Sequence, residues 1–414
     1  MKIPEPLQRL AGEVEASLVG AFVHVEETAR HNTQRVLEQF SHYRLSDSHF
    51  AGTTGYGYDD TGRELLDKVF AALMGCEGAL VRTGFVNGTH AIACALRGAL
   101  RSGQILVSAV GTPYDTLQNV IEGDAPGAFP ELGISHRVVS VRMDGTPDLT
   151  AITEAAQGPQ VGAVLIQRSR GYTSRPALSV AQIQEIIAAV RAVNPKATCV
   201  VDNCYGEFVE RREPGCAGAD LVAGSLIKNP GGGLAPTGGY IAGKQALVER
   251  CAAFLTAPGI GGHCGATLGQ NRALLQGLFF APHVVCQALK TAIFCAGMLE
   301  RLGYQTAPAA QERRSDIIQT VHFGAPGPLL RFCRGIQEGS PVDAFAVPEP
   351  WPMPGYDCDV VMAAGTFVQG GSLELSCDAP MRPPYTAYVQ GGLTYEAGRW
   401  GILHGLAQVG SESP

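Results

Sequence analysis

Short β-rich runs alternate with helical stretches between Ala79 and Gly243, and this alternation constrains the fold more than any other feature of the chain. The clearest helix, Ser179 to Val193, begins with a capping box of Ser179 and Gln182. Such alternation is typical of a mainly parallel sheet with helices on both faces. We therefore predict an α/β fold whose strands include Leu80–Arg82, Ile105–Ala109, Val138–Val141, Val161–Ile166, Thr198–Val201 and Leu221–Ala223.

The length of 414 residues predicts two or three domains. Residues 1–60 are expected to form a helical arm and a glycine-rich loop, and residues 61–291 a large domain. Beyond Ala292 the pattern changes to strands near Ile317–Phe323 and Val360–Phe367 and to helices near Leu329–Gln337 and Tyr395–Val409. We predict that residues 292–414 form a smaller α+β domain.

Composition excludes several classes of function. The net charge of −7, without a basic run, is unsuited to phosphate-backbone binding, so we expect no nucleic-acid partner. We find neither a signal-peptide core nor an apolar run near the roughly 18 residues of a membrane span, so we expect a cytoplasmic protein without a membrane partner. The 12 cysteines form no C-x-x-C pair, and we predict no metal site.

Two residues at the ends of successive β-rich runs predict the cofactor. Asp202 ends one run, and Lys228, 26 residues later, follows the next run and precedes the glycine-rich segment Gly231–Gly233. Pyridoxal 5′-phosphate (PLP) needs an amine that forms a Schiff base and a carboxylate that keeps its ring nitrogen protonated. Either residue alone is more typical of an ordinary turn, but the pair predicts a PLP site at the crevice of the sheet.

Other residues are suited to the phosphate and the ring of this cofactor. Gly88 and Thr89 begin a helix after a strand, where backbone N–H groups bind phosphate, and Ser225 adds a hydroxyl donor. Tyr114 follows another strand and is suited to stacking over a planar ring. His90 is an equally open choice for that stacking position.

Five segments resemble one family of PLP enzymes. They are Gly88–Ala91, Pro113–Leu117, Val201–Phe208, Gly224–Tyr240 and Met353–Tyr356, and they are similar to the methionine gamma-lyase-like family often called aluminium resistance protein. The resemblance extends from about Ser48 to Tyr395. It implies the aspartate-aminotransferase-like fold (fold type I), with a mainly parallel seven-stranded sheet and a small C-terminal domain. It also implies a homotetramer of two active dimers, in which Tyr56 and Tyr58 reach the cofactor of the neighbouring subunit.

The chain departs from better-known members of this branch at two positions. Ile227 replaces a second hydroxyl residue before the lysine, and Glu374 replaces the arginine that binds the substrate carboxylate. Arg382 is our predicted replacement, with Arg168 and Arg175 as further candidates, because a guanidinium binds carboxylate in a bidentate manner. Glu374 would favour a cationic substrate tail if it faced the pocket; a purely structural glutamate is the alternative.

The resemblance implies elimination of the γ-substituent of an amino acid, with Lys228 as proton shuttle and Tyr114 assisting the leaving group. Candidate substrates are methionine, homocysteine, cystathionine, an O-substituted homoserine and canavanine. A β-lyase, a PLP transaminase or racemase, and a non-catalytic PLP-binding protein are the alternatives. A dinucleotide-binding protein is disfavoured because no Gly-x-Gly-x-x-Gly follows the first strand.

Overall fold

The computed structural model describes residues 3–353 and 358–410. The larger domain contains a seven-stranded sheet, and its strands are β1 Gly78–Arg82, β2 Ile105–Ser108, β3 Ser135–Val138, β4 Val161–Gln167, β5 Thr198–Asp202, β6 Leu221–Ser225 and β7 Gly239–Gly243. Their spatial order is β1-β7-β6-β5-β4-β2-β3. Strands β2 to β6 pair in parallel, whereas β7 is antiparallel to both β1 and β6. The predicted α/β fold with a mainly parallel seven-stranded sheet is confirmed.

Two strands differ from the prediction. Strand β3 is Ser135–Val138, so only the first residue of the predicted run Val138–Val141 lies in it. Strand β7 was not among the predicted runs, because glycines at both ends of Gly239–Gly243 make this segment resemble a turn. Its burial between β1 and β6, which depends on the rest of the sheet, makes it a strand.

The N-terminal helices α1 Glu5–Ser17 and α2 Val19–His42 pack on the body of the protein. Asn32 of α2 is fully buried and donates to the carbonyl oxygens of Phe208 and Glu210, at 3.0 Å each. The predicted arm is therefore docked beside the segment that follows β5. The helices of the large domain are α3 Thr61–Met74, α4 Gly88–Ala99, α5 Asp115–Glu122, α6 Leu149–Ala155, α7 Val180–Val193 and α8 Gln245–Leu255.

Helix α9, Asn271–Arg301, leads into the predicted small domain and bears on two expectations. The predicted domain boundary at residues 291–292 falls inside this helix of 31 residues. Its most apolar 18-residue stretch has a mean hydropathy of 1.5, so by length and composition alone the helix could cross a membrane. No apolar run of that kind was expected from the sequence. Since 72% of that stretch is buried inside the protein, the apolar character of α9 is explained by packing in the core.

The smaller domain contains an antiparallel sheet and two helices. Its strands are β8 Gln305–Ala307, β9 Gln319–His322, β10 Trp351–Pro352, β11 Asp359–Ala364, β12 Ser376–Pro380 and β13 Thr386–Gln390, in the order β10-β11-β12-β13-β9-β8. Helices α10 Pro326–Glu338 and α11 Tyr395–Val409 pack against each other and lie where helices were predicted. Strands β12 and β13 were not predicted, although they form the centre of this sheet.

Candidate active site

A cavity of about 560 Å³ lies between the carboxyl ends of β4 to β6 and the small domain. This is the crevice in which open α/β sheets bind ligands, and its volume is that of a small-molecule site. The large domain contributes most of the lining, and the turn and strands around β12 and β13 contribute the opposite wall. Seven residues predicted to belong to the site line this cavity: Gly88, Thr89, Tyr114, Asp202, Ser225, Lys228 and Arg382.

Asp202 and Lys228 meet at the floor of the cavity, since β5 and β6 are neighbours in the sheet. Oδ1 of Asp202 accepts a hydrogen bond from the backbone N–H of Cys204 at 3.1 Å, and burial raises the pKa of Asp202. Nζ of Lys228 lies 3.7 Å from the centroid of the Tyr205 ring. Burial alone would lower the pKa of Lys228, but Tyr205, Cys204 and Asp202 together raise it. The floor thus provides the amine and the carboxylate that PLP requires.

The start of α4 and the end of β6 form a cradle suited to phosphate. Asn87 caps α4 and accepts from the His90 N–H at 2.9 Å, while a Cβ on Gly88 would lie only 3.2 Å from that of Ser225. Oγ of Ser225 is buried without a hydrogen-bond partner among the described residues. A buried hydroxyl without a partner beside a helix N-terminus fits an anion. We conclude that the residues present fit PLP, with its phosphate at this cradle.

Tyr114 and His90 were open alternatives for stacking on the cofactor. Tyr114 lines the cavity, and its hydroxyl lies 3.1 Å from Oγ1 of Thr89; burial raises its pKa. Nδ1 of His90 instead accepts from the Val86 N–H at 3.2 Å, and its ring meets the edge of Phe85 outside the cavity lining. These positions favour Tyr114 over His90 as the stacking residue, and Tyr114 stays the predicted one.

Tyr56 and Tyr58 do not line the cavity of their own chain within the described residues. They are 78% and 60% exposed, and their rings stack with centroids 5.7 Å apart. Asp60 holds the loop that carries them, because its carboxylate accepts from Thr53 and Thr267 at 2.6 Å each. Burial opposes ionisation, but these hydrogen bonds lower the Asp60 pKa to about 2. The pair is presented to solvent, and its predicted role in a neighbouring subunit stays a prediction.

Arg168 and Arg175 were candidates for the substrate carboxylate, and the structure places neither in the cavity lining. Arg168 is completely buried and donates to Asn203 and Glu210 at 2.8 Å each. Arg175 donates to backbone carbonyls, including that of Gln167 at 2.8 Å. Both guanidinium groups are occupied in structural contacts, which corrects the prediction for both.

Arg170 lies in the cavity wall and was missed by sequence reasoning. It is 2% exposed, and its Nη1 donates to the carbonyl of Ala307 at 3.1 Å and to Oγ1 of Thr320 at 3.3 Å. It forms no ion pair with any residue of segments 3–353 and 358–410. Its place just after the carboxyl end of β4 is the signal that would have identified it, by the reasoning applied to Asp202.

Glu374, predicted as a possible substrate contact, is a structural residue. It is 2% exposed, and its carboxylate accepts from the backbone N–H groups of Phe367 at 2.6 Å and Val368 at 3.0 Å. It is not part of the cavity lining, whereas Gln369 and Gly370 of the loop that it holds are. The prediction that Glu374 meets the substrate is corrected: it shapes the loop at the cavity mouth.

The sequence profile of the methionine gamma-lyase family matches residues 7–410. The chain belongs to this family. The motif Met353–Tyr356 contributed to the predicted resemblance, although Pro354 to Tyr356 lie outside the described residues.

Relatives match the chain over different lengths. The uncharacterized protein YnbB of Bacillus subtilis is 48% identical over 94% of this chain and 93% of its own. L-methionine gamma-lyase of Pseudomonas putida is 29% identical over 55% of this chain and 52% of its own. The structure of a carbon-sulfur lyase involved in aluminum resistance from Clostridium novyi NT superposes with a TM-score of 0.94 at 45% identity, covering 98% of this chain and 96% of the other.

Family membership confirms three predictions: the enzyme class, the cofactor and the fold. The chain is a PLP-dependent lyase of fold type I. Its specific substrate is a separate question, which the residues of the cavity address.

Proposed function

We propose that this lyase eliminates the γ-substituent of an amino acid, breaking a C–S or C–O bond. The observation that carries the proposal is the convergence of Lys228, Asp202 and the orphan hydroxyl of Ser225 with an unpaired arginine, Arg170, in one cavity. The names of the relatives support it, since they include an L-methionine gamma-lyase and a carbon-sulfur lyase. β-Elimination of a cystathionine- or cysteine-type substrate is the main alternative, followed by transamination or racemisation.

The side chains divide the work of the reaction. Bound PLP supplies the electron sink that makes the substrate Cα–H acidic. Nζ of Lys228 is the group that removes the proton at Cα and moves it along the substrate. The hydroxyl of Tyr114, buried and hydrogen-bonded to Thr89, is the predicted donor to the leaving group. The carboxylate of Asp202 would hold the ring nitrogen of bound PLP in its protonated form.

Arg170 is our choice for the substrate α-carboxylate, with the predicted Arg382 beside it. Both arginines line the cavity, and both also line a smaller adjoining cavity of about 240 Å³. Arg170 is buried on neutral acceptors, so an anionic ligand would complete its coordination. Arg382 lies on an exposed turn and is more accessible to water.

An absorbance spectrum of the purified protein and of Lys228→Ala tests the cofactor role, and an assay of 2-oxo acid release tests the reaction. We expect a band near the visible edge that the variant lacks. A panel of methionine, homocysteine, cystathionine, O-substituted homoserines and canavanine should give 2-oxobutyrate, or homoserine, from at least one member. Pyruvate alone would indicate β-elimination, and an accumulating enantiomer would indicate racemisation. A protein that stays colourless with added PLP would exclude the proposal.

We further propose that the enzyme acts in the cytoplasm as a homotetramer of active dimers, with Tyr56 and Tyr58 completing the neighbouring site. Hybrid oligomers of Lys228→Ala and Tyr56→Phe chains test this arrangement. One site of each mixed dimer would then hold both an intact Lys228 and an intact Tyr56. We expect the hybrid to be several-fold more active than either parent oligomer, and activity equal to the mean of the parents would contradict sharing.

A further inference from the structure

Among the described residues, the cavity lining has one buried charged group that the proposed reaction leaves unused. Three acidic side chains of the described residues line it: Asp115, Asp202 and Asp378. Asp202 is assigned to the cofactor, and Asp115 is the first residue of α5, where the helix dipole favours an anion. Asp378, on the central strand β12 of the small sheet, faces the cavity from the wall opposite the cofactor cradle.

The hydrogen bonds given for Asp378 come from neutral donors. Oδ2 accepts from Nε2 of Gln390 at 3.2 Å, and the side chain of Tyr172 also hydrogen-bonds to it. Within segments 3–353 and 358–410 it forms no ion pair, although it is only 7% exposed. Burial raises the Asp378 pKa to about 6, against the effects of Tyr172 and the charge of Lys228. A buried carboxylate without an ion pair is costly, and a cationic ligand in contact with it would offset that cost.

The substrate has one part left to place. Under the proposed function its amino group goes to the cofactor beside Lys228, and its carboxylate goes to Arg170. The part of the substrate side chain beyond Cγ has no assigned partner, and Asp378 is the buried cavity residue with no assigned role. We propose that Asp378 is the specificity-determining residue of this enzyme and selects amino acids whose side chain ends in a guanidinium or ammonium group. This inference rests on the proposed function for the orientation of the substrate.

L-Arginine and L-citrulline form a matched pair that tests the proposal by binding alone. They have the same length, but one ends in a guanidinium and the other in a neutral urea. Neither carries a heteroatom at Cγ, so neither is consumed by the proposed elimination. Titration calorimetry of the PLP-loaded enzyme should give an affinity for arginine at least about 10-fold higher than for citrulline, as expected for a charge-assisted hydrogen bond to a buried carboxylate.

The variant Asp378→Asn keeps the shape of the side chain and removes its charge. We expect the preference for arginine to fall to about 2-fold or less, with citrulline affinity and the cofactor spectrum unchanged. Glu374→Gln is the control, because it removes a second buried carboxylate near the cavity mouth that does not line the cavity. It should keep the preference.

Four results would overturn the assignment: a wild-type enzyme that binds neither compound, one that binds both equally, an Asp378→Asn variant that loses both equally, or a Glu374→Gln variant that loses the preference. Failure of the lyase proposal would be seen separately, as absence of 2-oxo acid from every substrate of the panel.

Discussion

The two walls of the active-site cavity differ in how they are built. The cofactor wall, formed by Gly88, Asp202, Ser225 and Lys228, comes from strand ends and a helix start of one sheet. The substrate wall, formed by Arg170, Asp378 and Arg382, joins a loop of that sheet to a separate antiparallel sheet. The first wall is a set of local motifs brought together by parallel topology. The second exists only because two domains pack together, and it is the wall to which we assign the proposed selectivity.

The largest expected effect is on the cofactor wall, where Asp202→Asn removes the carboxylate that would keep the ring nitrogen of bound PLP protonated. We expect kcat to fall about 100- to 1,000-fold, equivalent to roughly 3–4 kcal/mol of activation free energy. The visible absorbance band should persist because Lys228 is intact. Steady-state kinetics and a spectrum of the same sample measure both quantities. An unchanged kcat would show that the cofactor wall has been wrongly assigned.

A smaller effect is expected on the substrate wall from Arg170→Ala. Removal of a buried guanidinium that binds a carboxylate should lower kcat/KM for every amino acid substrate about 30-fold or more, chiefly through KM. The absorbance of bound PLP should not change. Arg382→Ala is the matched control and should cost less than about 10-fold, because an exposed charge contributes less. The reverse ranking would restore Arg382 as the main carboxylate ligand.

The smallest effect is expected from Glu374→Gln, at the edge of the substrate wall. An amide oxygen accepts more weakly from the N–H groups of Phe367 and Val368 than a carboxylate does. We expect a loss of about 1–2 kcal/mol in stability and a change of less than about 5-fold in kcat/KM. Calorimetric unfolding measures the first. A kinetic loss as large as that of Arg170→Ala would mean that the loop reaches the substrate.

The residues of the cofactor wall were predictable because each follows a recognisable strand of a parallel sheet, and such strand ends meet at one edge. Lys228 and Asp202 were predicted as a pair, because each stands at the end of one of two successive β-rich runs. The same rule would have identified Arg170 after β4, had it been applied there. Arg168, only two residues away, is directed into the core instead, and the sequence alone does not distinguish the two orientations.

The substrate wall was less predictable for a physical reason. Glu374 and Asp378 are four residues apart, but Asp378 lies in a strand, whereas Glu374 lies in the turn before it and bonds to a neighbouring loop. Which carboxylate faces the cavity depends on where β12 begins and on how the small sheet packs against the large domain. Neither is encoded in a local motif. The direction of the His90 ring is likewise not encoded in a local motif, because it depends on a hydrogen bond from the loop before α4.

Helix α9 limits where the chain can be divided into recombinant fragments. It runs for 31 residues without a break from the large domain into the small one, and most of its length is buried. A recombinant fragment that ends or begins at residue 292 would expose the apolar surface of part of α9. We therefore expect neither fragment to be soluble alone. Chimaeras that exchange the small-domain part of the substrate wall, with Asp378 and Arg382, should therefore place their crossover after Arg301, leaving the whole helix with its own sheet.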